Sequence, residues 1–101
     1  MTDILLEWDQ EKNRSNKRNH GVSFEIAREA FRDPLRVSII DRVVEGEERW
    51  QTYGMVRDVL LLVVAHTIWE EFEEDSPVEY VRIILARKVT RSERETYEQN
   101  R

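Results

Sequence analysis

The sequence predicts an α+β domain in which two N-terminal helices and one C-terminal helix pack on a twisted antiparallel sheet. The first observation is that short runs of β-branched and aromatic residues, separated by tight turns, fill the chain from residue 36 onwards. The second is that two segments with helical character precede these runs. The third is a capping box, Thr90-Arg91-Ser92-Glu93, which opens a final helix that continues through Tyr97. The predicted element order is therefore β-α-α-β-β-β-β-α.

Length and composition limit the classes of protein that fit. A chain of 101 residues forms one small domain, residues 1–101, around a single core. The absence of cysteine excludes a disulfide framework and thiolate chemistry. The two histidines and the carboxylates lack metal-ligand spacing, so we expect no metal and no other cofactor. The longest apolar run, residues 59–65, is too short to cross a bilayer and no signal peptide is recognisable, so we expect a cytoplasmic protein.

Charge is unevenly distributed along the chain. The formal net charge is −5, and six carboxylates between residues 70 and 79 carry −6, which leaves +1 for the rest of the chain. Positive charge concentrates in residues 12–18 and in residues 82–94. We therefore expect a polarised surface, on which local fields matter more for binding than the total charge.

The first helix, residues 10–20 with Asp9 as its cap, contains no strongly apolar residue. It therefore cannot be held in place by burying an apolar face of its own. Two interpretations stay open, of which composition favours the first. In the first interpretation, the helix is solvated and is held in place by Trp8 before it and by Val22 and Phe24 after it. In the second, its basic side chains remain free to bind phosphates. These groups are Lys12, Arg14, Lys17, Arg18 and His20.

A second helix follows a glycine stop. His20-Gly21 ends the first helix and Ser23 caps the next one, which Asp33-Pro34 stops. Its apolar residues follow helical spacing and should form a core stripe consisting of Phe24, Ala27, Ala30 and Phe31.

Most of the remaining chain is predicted to be strand. A short strand at residues 4–8 opens the chain, and an acidic hairpin or bulged loop at residues 69–77 is expected to be solvated. Short connections imply an antiparallel meander between these two segments. Its strands are residues 36–41, 48–55 and 59–67.

The last predicted strand, residues 79–90, should be central in the sheet because both of its faces carry apolar residues. Alternation places one set of side chains on one face, namely Val81, Ile83, Leu85 and Arg87. It places the other set on the opposite face, namely Arg82, Ile84, Ala86 and Lys88. A rigid strand that ends in a cluster of cations is a candidate site for an anionic ligand.

These cations, together with acid–base groups, suit one kind of chemistry on RNA. RNA is cleaved without metal when a base takes the 2′-hydroxyl proton, cations hold the phosphate and an acid protonates the leaving oxygen. Histidine transfers protons near neutral pH, which favours His20, although a histidine beside a C-capping glycine is often only a terminal hydrogen-bonding group. His66 lies within a strand and is expected to be structural. The residues available for these roles are His20, Glu48, Arg49, Arg82, Arg87, Lys88 and Tyr97.

Several short motifs, taken together, resemble the BrnT family over nearly the whole chain. In order they are Glu7-Trp8-Asp9 with Lys12, Asn13 and Asn16, then His20-Gly21-Val22-x-Phe24, Asp33, Gly46-Glu47-Glu48-Arg49, Gly54, and Arg82-Ile83-Ile84-x-Ala86-Arg87-Lys88-x-Thr90-x-x-Glu93 with Tyr97. The sequence departs from the family pattern at residues 68–77, where the acidic segment is longer than usual. It also departs at Leu85, where a small polar residue is common.

The resemblance implies a ribonuclease toxin of a bacterial type II toxin–antitoxin module, with a RelE-like fold. It also implies a BrnA-type antitoxin, a ribbon-helix-helix protein that neutralises the toxin and carries the complex to operator DNA, and the expected assembly is a heterotetramer. We therefore expect a metal-independent endoribonuclease that arrests growth. The alternative is a catalytically inactive toxin relative that acts as a protein-interaction and co-repressor subunit.

The ribonuclease hypothesis assigns a role to each candidate residue. The expected catalytic residues are His20, Glu48, Arg49, Arg82 and Arg87. The three arginines would hold the phosphate and stabilise transition-state charge. His20 and Lys12 would assist proton transfer or bind the backbone, and Glu48 would act as base or orienting group. The expected RNA-binding residues are Lys12, Arg14, Lys17, Arg18 and Lys88.

Overall fold

The computed structural model describes residues 3–99. Among them, no helix has the length and hydrophobicity needed to span a membrane. The predicted α+β class and order of elements are confirmed, except that the second helix is α-helical only in its first turn and then tightens into a 3₁₀ helix. The strands are β1 (Asp3–Glu7), β2 (Val37–Val44), β3 (Glu47–Val56), β4 (Leu60–Glu73) and β5 (Ser76–Lys88). The helices are α1 (Gln10–His20), α2 (Phe24–Ala27), the 3₁₀ helix (Arg28–Arg32) and α3 (Arg91–Glu98).

The described strands form one sheet in the order β1-β5-β4-β3-β2. Strands β2 to β5 make the predicted antiparallel meander, but β1 pairs with β5 in parallel, so the expectation of a purely antiparallel sheet is wrong at this edge. The parallel pairing is available because helices and three other strands separate β1 from β5, and such a long connection can return the chain in the same direction.

The two faces of the sheet are covered differently. The face on which α2 and the 3₁₀ helix pack, here called the helical face, buries the predicted stripe of Phe24, Ala27 and Ala30, with Phe31 partly buried beside it. The same cluster includes Val22, Val56, Leu62, Val64, Ile83 and Ala86. The opposite face, here called the open face, receives Tyr97 of α3, which packs on Tyr53, Leu61 and Val63. The rest of the open face is available to carry a site.

Two buried asparagines hold α1, the helix that lacks an apolar face. Asn16 donates to the carbonyl oxygens of Val22 and Ala86, both at 2.8 Å, and accepts from the Ala86 amide at 3.1 Å. Asn13 accepts from the Phe24 amide at 2.8 Å and donates to Glu25. The helix is therefore anchored by hydrogen bonds rather than by apolar burial, and its cations point to solvent.

A bulge in β5 changes which side chains share a face. Ala65 of β4 lies opposite Leu85, whereas His66 lies opposite Ile83, so Ile84 is an extra residue in the ladder. The predicted strict alternation is therefore wrong beyond Ile83. As a result Arg82 and Arg87, which alternation places on opposite faces, lie on the same open face.

The acidic segment is a hairpin, one of the two predicted forms, and it is strand rather than bulged loop for most of its length. Strands β4 and β5 pair out to Glu73 and Ser76, and only Glu74 and Asp75 form the turn, both with positive φ. The predicted strand at residues 59–67 ends earlier than β4 does, because the run of glutamates obscures the alternation of apolar and polar residues. Phe72 is 71% exposed near the tip of this β4–β5 hairpin.

Candidate functional site

The candidate site begins where β1 stops covering the edge of β5. Strand β1 ends at Glu7, opposite Arg82, and residues 83–88 of β5 have no neighbouring strand on that side among the described residues. Helix α1 lies along this edge instead, and its Asn16 side chain bonds both backbone groups of Ala86, as a paired strand would.

Two hollows adjoin along this edge and share Lys12, forming what is here called the edge groove. The first, of about 280 Å³, is lined by Glu7, Trp8, Asp9, Lys12, Arg82 and Ile83. The second, of about 250 Å³, is lined by Lys12, Ser15, Asn16, Asn19, His20, Ile84 and Leu85. The groove therefore has Arg82 at one end, Lys12 in the middle and His20 at the other end.

The charged groups of the groove are accessible. Arg82 contacts Glu7 through Nε at 3.3 Å and Nη2 at 3.2 Å, and the side chains are 60% and 47% exposed. An ion pair so exposed is held weakly, so a phosphate can compete with Glu7 for the guanidinium. Arg14 and Arg18 line a neighbouring hollow on α1 together with Lys12, whereas Lys17 lies on the other side, beside Val22.

The three strand arginines lie on the open face. Arg49, Thr67 and Arg82 are direct neighbours across β3, β4 and β5, so their side chains point the same way. Arg87 lies farther along β5, opposite Val63. Each of these arginines forms an ion pair with a carboxylate. The pairs are Arg49 with Glu47 at 3.1 Å, Arg82 with Glu7, and Arg87 with Glu93.

Arg87 makes the strongest of these pairs. Its Nη1 and Nη2 donate to the two oxygens of Glu93 at 2.7 and 2.9 Å. The hydrogen bonds from Arg87, reinforced by the Thr90 amide, hold the pKa of Glu93 at about 2. Because Glu93 lies in the first turn of α3, this pair ties the helix to the sheet in addition to presenting a cation.

Two of the predicted residues on strands lie away from the rest. Glu48 neighbours Val43 and faces the side opposite to Arg49, where it lines a separate hollow near Trp69. Lys88 lies opposite Leu62 at the end of the helical face. The structure thus brings His20, Lys12 and Arg82 together, places Arg49 and Arg87 on the open face, and leaves Glu48 and Lys88 apart.

Tyr97, another residue in the predicted set, is buried and donates to Asp33 at 2.5 Å. Asp33 also accepts from the Met55 amide at 2.7 Å and the Leu35 amide at 2.9 Å. Burial raises the pKa of Asp33, but the Tyr97 and amide hydrogen bonds outweigh burial and lower it overall. Tyr97 therefore anchors α3 from within the core.

The supporting residues of the site occur in the family motifs, but what they support was not predicted from the sequence. Asn13 and Asn16 are 7% and 6% exposed on a helix whose other residues are polar and mostly exposed. Their spacing of three residues places both on one side of α1, which is the signal that identifies an anchoring face. Local sequence does not show that Glu7 and Glu93 pair with Arg82 and Arg87, because each arginine lies in a different element from its glutamate.

The fold and the groove define a class of protein. The chain is a small α+β domain that presents a row of cations along an exposed sheet edge, an arrangement suited to a ligand that carries phosphates.

Comparison with known proteins identifies the family. Residues 8–93 match the family model described as ribonuclease toxin, BrnT, of type II toxin-antitoxin system. The structure is similar to that of the Brucella abortus ribonuclease toxin BrnT, with a TM-score of 0.54 and 14% identity over 89% of this chain and 100% of that chain. No curated protein matches the sequence. The chain belongs to the BrnT family of ribonuclease toxins of type II toxin–antitoxin systems.

Proposed function

We propose that this protein is a metal-independent endoribonuclease that cleaves RNA in the edge groove. The observation that carries the proposal is that Arg82 and His20 line two hollows at the uncovered edge of β5, and that Lys12 lines both. The groove combines an exposed guanidinium, an exposed ammonium and an imidazole, which are the kinds of group that RNA cleavage requires in the absence of a metal.

The proposed mechanism divides the chemistry among these three groups. Arg82 and Lys12 hold the scissile phosphate and stabilise the charge that develops on it. His20 takes the proton from the 2′-hydroxyl as that oxygen bonds to phosphorus, and Lys12 gives a proton to the 5′-oxygen as its bond to phosphorus breaks. Arg49 and Arg87 extend the cationic surface onto the open face, and Arg14, Lys17, Arg18 and Lys88 bind the flanking RNA backbone. Glu48 has no contact with the groove, so the mechanism gives it no role.

The test is RNA cleavage by purified protein in excess chelator. Arg82→Ala should lower the cleavage rate by about 100-fold or more, because a preorganised donor to the reacting phosphate is lost. Arg57→Ala is the matched control, since Arg57 is also exposed and paired with a carboxylate, Glu29, but lies outside the groove. Cleavage by Arg82→Ala at the wild-type rate contradicts the site, and complete loss in chelator contradicts the metal-independent step.

A second function is favoured by the carboxylate that accompanies each strand arginine. Arginines engaged in this way suit a catalytically inactive toxin relative that binds a BrnA-type antitoxin and serves as co-repressor. In both cases we propose a heterotetramer with a ribbon-helix-helix antitoxin. The complex contacts operator DNA through the antitoxin. Wild-type protein that binds the antitoxin but cleaves no RNA would favour the second function.

A further inference from the structure

The β2 edge of the sheet exposes apolar side chains on both faces. No described strand pairs with the outer side of β2. Four side chains along it are apolar and exposed: Ile39 at 38%, Ile40 at 48%, Val43 at 61% and Val44 at 37%. Single exposed apolar residues are ordinary on protein surfaces, but four on one unpaired strand form a potential pairing edge.

A bulge and an ion pair lie at the middle of this strand. The register of β2 against β3 shifts between Ile40 and Arg42, so Asp41 is the extra residue. Because of this shift Ile39, Arg42 and Val44 share the open face, whereas Ile40 and Val43 share the helical face. Asp41 Oδ2 lies 3.7 Å from Arg42 Nε, and both side chains are exposed.

We propose that a second copy of this chain pairs with β2, antiparallel, about a twofold axis between Asp41 and Arg42. In this register Asp41 lies opposite the partner's Arg42, Ile40 opposite the partner's Val43, and Ile39 opposite the partner's Val44. Every charged group meets its opposite and every exposed apolar side chain meets another on the same face. The two sheets join into one of ten strands.

Other registers lose this complementarity. If the pairing register shifts by one residue, side chains from opposite faces of the two sheets are paired with each other, which the alternation along a pleated strand does not allow. A shift of two residues restores the faces but sets Asp41 against the partner's Ile40. The register centred between Asp41 and Arg42 is therefore selected both by the bulge and by the charges.

The dimer leaves the proposed groove free. Strand β2 lies at the opposite edge of the sheet from β1 and β5, so the two edge grooves would lie at the far ends of the joined sheet. The inference is independent of the proposed ribonuclease activity.

Bulges and charges on edge strands also serve to prevent pairing, and this role makes the opposite prediction. If Asp41 and Arg42 blocked pairing, replacing both with alanine would increase self-association. If they hold the dimer together, charge reversal of one of them would weaken self-association, because four like charges would meet at the axis.

The experiment is sedimentation velocity at low salt, up to about 100 µM so that a weak dimer is populated. It compares wild type, the charge-reversal variants and the variant with alanine at both Asp41 and Arg42. Wild type should dimerise, and Asp41→Arg and Arg42→Asp should each dimerise at least about tenfold more weakly. An equimolar mixture of the two single variants should dimerise again, because opposite charges then face each other, and so should the double exchange Asp41→Arg with Arg42→Asp.

A second pair of variants tests the apolar contacts. Val43→Thr should weaken the dimer, whereas Val59→Thr, at a valine that is 81% exposed in a turn away from β2, should leave it unchanged. Monomeric wild type throughout this range would overturn the proposal. So would reversal variants that dimerise as wild type does, or an alanine pair that associates more tightly.

Discussion

Among single residues, His66 is a buried side chain whose protonation is strongly affected by folding. It is fully buried, its Nε2 lies 2.6 Å from Thr52 Oγ1, and its Nδ1 lies 3.2 Å from the Thr67 carbonyl oxygen. Because that carbonyl only accepts, Nδ1 carries the proton and Nε2 accepts from Thr52. Burial lowers the pKa of His66 to about 4.

This shift predicts a loss of stability in mild acid. The unfolded chain binds a proton at His66 below pH 6.5, whereas the folded protein does so only near pH 4, so the stability held above pH 6.5 is lost as the pH falls between these values. At pH 5 the loss should be about 2 kcal/mol. Urea unfolding at pH 7.5 and pH 5 measures it, with His66→Gln as the non-titrating control. Equal pH dependence in both proteins would contradict the assignment.

One variant at each member of the Arg87–Glu93 pair should separate the structural effect of the pair from a catalytic effect of Arg87. Both groups are largely shielded, with side-chain exposures of 33% and 19%. Glu93→Gln and Arg87→Gln should each cost about 1 to 3 kcal/mol of unfolding free energy, because a charge-assisted hydrogen-bonded pair is lost. Only Arg87→Gln should also lower RNA cleavage, if Arg87 contacts the substrate. If both variants cleave RNA equally at a temperature where both are folded, Arg87 has a structural role only.

Among the elements, α1 differs most from an ordinary surface helix. Its stability comes from buried amide hydrogen bonds at Asn13 and Asn16, which leaves every cation on it outside the core. The two interpretations of this helix are therefore compatible, since its anchoring and its charge use different side chains.

Substitutions on α1 should separate these two sets of residues. Asn16→Asp keeps the shape but cannot donate to Val22 and Ala86, and leaving such groups unpaired costs about 1 to 3 kcal/mol each. Glutamine at Lys12, Arg14, Lys17 and Arg18 should change the unfolding free energy by less than about 1 kcal/mol. The same four changes should weaken RNA binding and flatten its salt dependence by a slope of roughly 0.7 per lost contact. An unchanged slope with a much lower melting temperature would contradict this division.

Across the whole molecule, charge is separated between α1 and the arm formed by the distal halves of β4 and β5. On this arm Trp69 stacks on Tyr80 with ring centroids 5.3 Å apart, and Tyr80 donates to Glu73, whose hydrogen bond raises the pKa of Tyr80 to about 12. Trp69 is thus covered on one ring face by Tyr80 and is 36% exposed, whereas Phe72 is 71% exposed. An exposed aromatic ring among carboxylates suits a basic partner surface.

Removing the arm's charge should affect association rather than catalysis. With glutamine at Glu70, Glu71, Glu73 and Glu74, RNA cleavage should persist, while the association rate with the antitoxin at low salt should fall by about tenfold or more. The control carries glutamine at Glu11, Glu45, Glu95 and Glu98, which removes the same charge elsewhere. Stopped-flow measurements distinguish the two variants, and equal rates for the arm variant and wild type would leave the arm as a solvated hairpin.

Local sequence determined the elements and much of the core. Asp9, Ser23 and Thr90 cap the helices as predicted, because a cap bonds backbone amides within three residues of itself. The stripe on α2 and the 3₁₀ helix was likewise predictable, because helical spacing is a property of neighbouring residues. The roles of the site residues stay predictions, although their positions are now known.

Tertiary structure alone decided the parallel pairing of β1, the bulge at Ile84 and the grouping of Lys12, His20 and Arg82. Each depends on hydrogen bonds between distant parts of the chain, such as the bond from Asn16 to Ala86, which are 70 residues apart. No local pattern encodes which backbone groups a side chain will reach at that separation. The bulge in β5 is an example. One inserted residue places Arg82 and Arg87 on the same face of the sheet, whereas strict alternation would place them on opposite faces.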